Sequence, residues 1–139
     1  MPVKPIENGV ITSGYGERIL HGVKEFHPGL DIGVPGNPTN VKVVAAYAGK
    51  VVVMKYSQSF GNVVYVRRED KMLCIYPHLA FFNPALKVGD QLNEGDYIGI
   101  MGNTGHSFGE HLHFEIRPDF KPGSSIDPVE ITALYDSQK

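Results

Sequence analysis

Residues 110–117 show the most regular alternation of polar and apolar side chains in the chain. One parity is apolar and the other contains imidazole and carboxylate groups, namely Leu112, Phe114 and Ile116 against His111, His113 and Glu115. A repeat of two residues is typical of a strand with one face against a core. The alternation predicts a strand whose apolar face fixes two imidazoles in position on the other face. Taken alone, it fits ordinary polar residues on a solvated sheet face equally well.

Short β-branched segments, separated by glycine and proline, make up most of the remaining chain. The predicted strands are an edge strand with a Gly-rich loop in 1–22, then 41–46, 50–56, 63–67, 72–76 and short strands within 86–102. The segments on either side of Gly49 are expected to be adjacent strands, and the next two to form a hairpin.

Two further histidines are expected where strands begin or end. Pro28 and Gly29 exclude a regular helix between His27 and Asp31, so both are expected on a loop that enters a strand. His78 is expected at the end of the second hairpin strand.

A single helix is predicted near the end of the chain. Asp127, Pro128 and Glu130 occupy N-cap, first-position and third-position sites, which predicts a short helix over 129–135. Sixteen glycines, ten prolines and closely spaced turns favour an all-β architecture, either a compact sandwich or a barrel.

The length, net charge and composition of the chain limit the kinds of protein that it could be. A length of 139 residues predicts a single domain over 1–139. The net charge of -2 and the lack of an isolated basic cluster argue against nucleic acid as a partner. The apolar neighbours of Cys74 predict a buried thiol. Residues 1–8 resemble neither a signal peptide nor an anchor, so we expect no export signal and no membrane insertion.

Histidines and one aspartate recur at three separate points, and these points could converge in the fold. The residues are His27, Asp31, His78, His111 and His113. Two imidazoles and one carboxylate with an open fourth position form the ligand set of a hydrolytic zinc site. The count provides that set with two histidines to spare.

The same residues give the chain its resemblance to a known family. The motif His27-X-X-X-Asp31, then Tyr76-X-His78-Leu79, then the run from Gly102 to Glu115 containing His111-Leu112-His113 resembles the lysostaphin-type (LytM-like) zinc metallopeptidases, which are peptidoglycan endopeptidases. The resemblance covers about residues 9–130, and the motifs occur in the family's order. It implies an antiparallel β sandwich of the duplicated hybrid-motif kind with a short C-terminal helix.

The resemblance also implies a role for each site residue. His27, Asp31 and His113 would bind one Zn²⁺ per chain, and His111 and His78 would form the catalytic pair. We assign His111 as general base and His78 as transition-state stabiliser or proton donor, although the sequence does not separate these two roles. Pro77 departs from the family pattern, because a small residue is expected beside His78.

The predicted function is zinc-dependent hydrolysis of peptide cross-links or stem peptides in bacterial peptidoglycan, by a monomer acting outside the cytoplasm. Delivery by a phage, as a lysin or virion-associated enzyme, would suit a chain without a leader. One alternative is a non-catalytic or structural homologue that binds cell wall. Another is a carrier domain of the biotinyl or lipoyl kind, but no modifiable lysine at a hairpin tip matches.

For residues outside this set of five, the sequence predicts mainly structural roles. His21 and His106 are expected in loops, and Arg18 is expected to stabilise its loop rather than contact substrate. Glu115 could orient a metal ligand, or it could be a solvated or structural carboxylate. Tyr76 and Phe108 are expected to pack rather than line a cleft.

Overall fold

The computed structural model describes residues 1–104 and 111–136. In chain order the elements are β1 (Val10–Ser13), β2 (Gly16–Leu20), β3 (Val23–His27), β4 (Leu30–Gly33), β5 (Lys42–Val44), β6 (Gly49–Ser57), β7 (Gly61–Arg67), β8 (Leu73–Phe82), β9 (Gln91–Leu92), β10 (Tyr97–Met101), β11 (Leu112–Arg117) and α1 (Val129–Asp136).

The strands form one large antiparallel sheet and one separate hairpin. The large sheet has the order β1-β4-β11-β8-β7-β6-β9, while β10 pairs with both β8 and β5. The hairpin consists of β2 and β3. The strand that contains His113 therefore lies between β4 and β8, inside the sheet, where both of its edges are hydrogen-bonded.

The alternation along β11 determines which face is buried in the core. Leu112 pairs with Ile32, and Phe114 pairs with Leu30. These four side chains are at most 1% exposed. They belong to a cluster that joins β4, β7, β8 and β11 to β5, β10 and α1. Burial of each such side chain contributes roughly 1.5–3 kcal/mol relative to leaving it exposed.

Several predictions are confirmed by this arrangement. The fold is antiparallel β with one short helix at the C-terminal end of the described chain, and β1 is an edge strand. The strands β7 and β8 pair as a hairpin. Cys74 is fully buried, and burial raises the pKa of its thiol to about 12. Separately from these predictions, no helix among the described residues has the length and apolar composition that spanning a bilayer requires.

Other predictions were wrong because they relied on local sequence. The strand β5 pairs with β10 rather than with β6. The segment predicted as a Gly-rich loop contains β2, which turns into β3 through His21 and Gly22. Both turn residues have positive φ, at 53° and 77°, as a two-residue type I′ turn requires. Asp31 lies within β4, and His78 lies within β8 rather than at its end.

Candidate metal centre and its flanking histidines

The pairing of β4 with β11 brings three of the predicted site residues to one place. Asp31 and His113 are direct partners across the two strands, and His27 is the last residue of β3. The turn between β3 and β4 passes close to β11 at Gly29. A Cβ there would lie 2.9 Å from Nε2 of His113 and closer still to the carbonyl oxygen of Phe114. A glycine is therefore required for this approach.

Three donor atoms converge at this point. Nδ1 of His113 lies 2.9 Å from Oδ1 of Asp31, and Nε2 of His27 lies 3.2 Å from the same oxygen. The two ring nitrogens are 3.3 Å apart. Potential ligand atoms of the three residues all lie within 4.8 Å of one another. Two imidazole nitrogens and one carboxylate oxygen are a donor set that fits Zn²⁺.

The second ring nitrogen of each imidazole is hydrogen-bonded away from the cluster. Nδ1 of His27 donates to the carbonyl oxygen of Gly14 at 2.8 Å. Nε2 of His113 donates to Oε2 of Glu115 at 2.7 Å. These bonds direct Nε2 of His27 and Nδ1 of His113 towards Asp31. An imidazole whose outer nitrogen donates to an acceptor is the usual arrangement for a metal ligand.

The electrostatics of the cluster favour a cation at its centre. Burial would raise the pKa of Asp31, but hydrogen bonds from His111, His113 and His27 hold it well below its usual range. Burial would lower the pKa of His113, but its hydrogen bonds to Asp31 and Glu115 raise it to about 9. In the metal-free chain, a proton on His113 thus stabilises the buried carboxylates. A divalent cation fits the same site through the deprotonated Nδ1.

His78 is fixed beside the cluster by two backbone hydrogen bonds. Its amide donates to the carbonyl oxygen of Phe60 at 2.7 Å, and its Nδ1 donates to the carbonyl oxygen of Thr104 at 2.6 Å. Because a carbonyl oxygen only accepts, Nε2 of the neutral ring has no proton and can accept one. Burial lowers the pKa of His78, although the Thr104 hydrogen bond partly opposes this shift. The neutral form is therefore favoured.

His111 completes the group of histidines. It lies just before β11, with Nε2 at 3.5 Å from Oδ1 of Asp31. The ring centroid of His78 is 6.4 Å from that of His111 and 6.3 Å from that of His113. The structure therefore places all five predicted site residues in one cluster, while their individual roles stay predictions.

The departure at Pro77 has a structural explanation. The pairing of β7 with β8 shifts register between Asn62 and Val64, which pair with Leu79 and Tyr76. Pro77 and His78 thus form a bulge in β8. His78 has a φ of 60°, which is uncommon for a residue with a side chain. A proline is tolerated at a bulge because no ladder hydrogen bond is required of it there.

Two arginines lie near the site, although neither was predicted from the sequence to belong to it. Nη1 of Arg18 lies 3.5 Å from Oδ2 of Asp31, and its Nε donates to Oε1 of Glu25 at 2.7 Å. Nε of Arg117 donates to Oε1 of Glu115 at 2.8 Å. The alternation that placed Glu115 on the face of His113 extends by two residues to Arg117, so the pattern could have identified it.

The remaining expectations concern residues around the cluster. Glu115 is buried and bonded to His113, so the solvated interpretation was wrong. Tyr76 is in the core, where its ring packs against Phe114. His21 lies in an exposed turn. His106 and Phe108 lie outside the described residues.

Comparisons with known proteins agree with this geometry. The profile of Peptidase family M23 matches residues 25–128. The DD-carboxypeptidase/endopeptidase Mpg of Neisseria meningitidis is 33% identical over 134 residues, which cover 93% of this chain and 28% of that protein. The peptidoglycan DD-endopeptidase ShyC of Vibrio cholerae is 34% identical over 115 residues, or 80% of this chain and 25% of that protein. The chain thus spans roughly a quarter of the length of these relatives.

A solved structure shows the same fold over almost its whole length. The catalytic domain of the antimicrobial peptidase lysostaphin from Staphylococcus simulans has a TM-score of 0.75 and 31% identity. The alignment covers 87% of this chain and 90% of that domain.

Proposed function

Since the chain belongs to peptidase family M23, we propose that it is a zinc-dependent endopeptidase that hydrolyses peptide bonds in bacterial peptidoglycan. The observation that supports this most strongly is the convergence of Nε2 of His27, Oδ1 of Asp31 and Nδ1 of His113, each imidazole having its other nitrogen bonded outward. These three residues would bind one Zn²⁺ per chain. Bound zinc supplies Lewis acidity at the scissile carbonyl and lowers the pKa of a coordinated water.

Proton transfer is the part of the reaction that falls to His111 and His78. We assign His111 as the general base, because its Nε2 lies beside Asp31 at the edge of the proposed zinc site. His78 faces the same cluster, and Nε2 is the only ring nitrogen it can offer to a substrate, since Nδ1 is bonded to Thr104. When protonated at Nε2, His78 would stabilise the transition state by a hydrogen bond or donate that proton to the leaving amine.

The substrate class rests on the relatives. One is named a DD-carboxypeptidase/endopeptidase and another a peptidoglycan DD-endopeptidase, and the lysostaphin domain is described as an antimicrobial peptidase. We therefore propose cross-link or stem peptides as substrate and the cell wall, outside the cytoplasm, as the place of action. We further propose that residues 1–139 act as one domain and as a monomer. Delivery of the chain by a phage stays a hypothesis.

The test combines zinc content with the fragments released from purified peptidoglycan, identified by mass spectrometry. We compare the unchanged chain with His113→Ala, His111→Ala and, as a matched control, His21→Ala in the exposed turn. His113→Ala should lose zinc, whereas His111→Ala should keep zinc and lose about 10²–10⁴ in turnover. His21→Ala should match the unchanged chain in both measurements.

Two outcomes would contradict the proposal in different ways. If the chain bound no zinc, the proposed metal centre would be wrong. A chain that binds zinc but releases nothing from any type of wall would instead support the non-catalytic homologue.

A further inference from the structure

The pair formed by Glu115 and Arg117 lies directly behind the proposed ligand His113. The carboxylate divides its two oxygens between the two neighbours, since Oε2 accepts from Nε2 of His113 and Oε1 accepts from Nε of Arg117. The side chains of Glu115 and Arg117 are only 1% and 8% exposed. This ion pair is therefore largely removed from water, unlike the pair of Arg68 with Asp70 on the surface.

Phe60 lies between this pair and His78 and contacts both. The guanidinium of Arg117 lies 5.4 Å from the centroid of the Phe60 ring. The same ring meets His78 edge-on at 6.1 Å, and the Phe60 carbonyl accepts from the amide of His78. Arg117 is thus packed against a residue that itself positions His78.

We propose that Glu115 and Arg117 are positioning residues for the metal centre, in which Arg117 orients the carboxylate of Glu115 and this carboxylate orients the ring of His113 towards the metal. The proposal rests on the proposed function for the identity of the metal as zinc and for His113 as one of its ligands.

The physical reason is the cost of a buried carboxylate without a fixed partner. With Arg117 bonded to Oε1, Oε2 of Glu115 points at Nε2 of His113, so Nδ1 of His113 is directed inward. Without Arg117, Oε1 of this carboxylate would lose its partner, and the side chain could rotate away from His113.

A purely structural ion pair is the competing explanation, and zinc affinity separates the two. We measure zinc dissociation constants by chelator competition for Glu115→Gln, Arg117→Met and the double variant Glu115→Gln/Arg117→Met. The matched control is Arg67→Met, because Arg67 also lies 5.4 Å from a phenylalanine ring centroid, that of Phe120, but donates to the backbone carbonyl of Lys71 instead of to a carboxylate. The visible spectrum of the cobalt-substituted protein reports ligand geometry independently of activity.

We expect Glu115→Gln to weaken zinc binding by about 10–100-fold and Arg117→Met by about 10-fold. Because Arg117 acts through Glu115, the double variant should bind zinc no more weakly than Glu115→Gln alone. It also removes both buried charges together, so it should fold even where a single variant does not. The cobalt spectrum should change in all three variants, and Arg67→Met should match the unchanged chain in both readouts.

Other results would overturn the proposal. Unchanged zinc affinity and an unchanged cobalt spectrum, with only a lower melting temperature, would make the pair purely structural. If the fold-losses of zinc affinity in the two single variants multiplied in the double variant, Arg117 would act independently of Glu115. If the unchanged chain and Arg67→Met also fail to bind zinc, the proposed function fails instead, and the result is distinguishable from failure of this inference.

Discussion

One face of β11 contributes apolar side chains to the core, whereas the other contributes a row of polar side chains linked by hydrogen bonds. Both faces are largely buried. Phe114, on the apolar face, is fully buried and has the Tyr76 ring 5.3 Å away. On the polar face, His113 is bonded to Asp31 on one side and to Glu115 on the other.

Burial on the two faces of β11 affects different properties of the protein, namely its stability and its metal affinity. Apolar burial is non-directional and roughly proportional to area, so it contributes mainly to the free energy of unfolding. Hydrogen bonds of a buried carboxylate depend on distance and angle, and their net contribution to stability is smaller. We therefore expect the apolar face to govern stability and the polar face to govern metal affinity.

The largest effect on stability is expected on the apolar face. Phe114→Ala should lower the free energy of unfolding by about 3–5 kcal/mol, because it removes a fully buried aromatic ring and leaves a cavity. Denaturant titration of the metal-free chain measures this loss. The zinc affinity of the remaining folded protein should change far less than it does in Glu115→Gln.

The matched control for this prediction is Phe120→Ala, because Phe120 is 48% exposed. It should cost about 1 kcal/mol or less. A similar loss from both substitutions would show that the apolar face of β11 has no special share in stability.

Local features of the fold could be predicted from the sequence, whereas features that depend on long-range strand pairing could not. The alternation along β11, the hairpin of β7 with β8 and the short helix α1 are local patterns, and all three appear in the structure. Spacing along the chain does not predict the convergence of His27, Asp31 and His113, because this convergence depends on the pairing of β4 with β11. It was expected only because the motifs resemble a known family.

Non-local and irregular features were missed for physical reasons. The pairing of β5 with β10 joins residues that are 53 to 58 positions apart, and no local pattern specifies that partner. The bulge at Pro77 and His78 depends on the register of β7, which the sequence of β8 alone does not determine. The hairpin of β2 and β3 had a detectable signal, since Gly22 favours a two-residue turn.

Between about pH 6.5 and 9, the largest pH dependence of stability is expected on the polar face of β11, at His113. The pKa of His113 in the metal-free fold is about 9, above the ordinary value of roughly 6.5. A raised pKa means that the protonated ring stabilises the fold; this contribution is complete below about pH 6.5 and is lost as the pH rises through 9. We expect the metal-free chain to lose roughly 3 kcal/mol over this window, since one pKa unit corresponds to about 1.4 kcal/mol.

Chemical denaturation at a series of pH values tests this expectation. His113→Ala should abolish the loss, while Phe114→Leu on the apolar face should keep it despite its lower stability. Saturation with zinc should also abolish it, because the metal would take the place of the proton on Nδ1. An equal decline in the metal-free His113→Ala variant would assign the effect to other groups.

The smallest of the three stability effects is expected where the two faces meet, at Gly29. Gly29→Ala would place a Cβ 2.9 Å from both Nε2 of His113 and Cγ of Glu115, and even closer to the carbonyl oxygen of Phe114. Relief of this overlap must shift β11 or the turn, at a cost of about 1–3 kcal/mol. Because Nε2 of His113 is one of the crowded atoms, zinc affinity should fall as well. Gly33→Ala is the matched control on β4, since among the described residues its Cβ would meet only Thr12, at 3.4 Å. If Gly29→Ala reduced stability but left zinc affinity at the level of Gly33→Ala, the site would tolerate a shift in β11, and the polar face would be less rigid than its hydrogen bonds indicate.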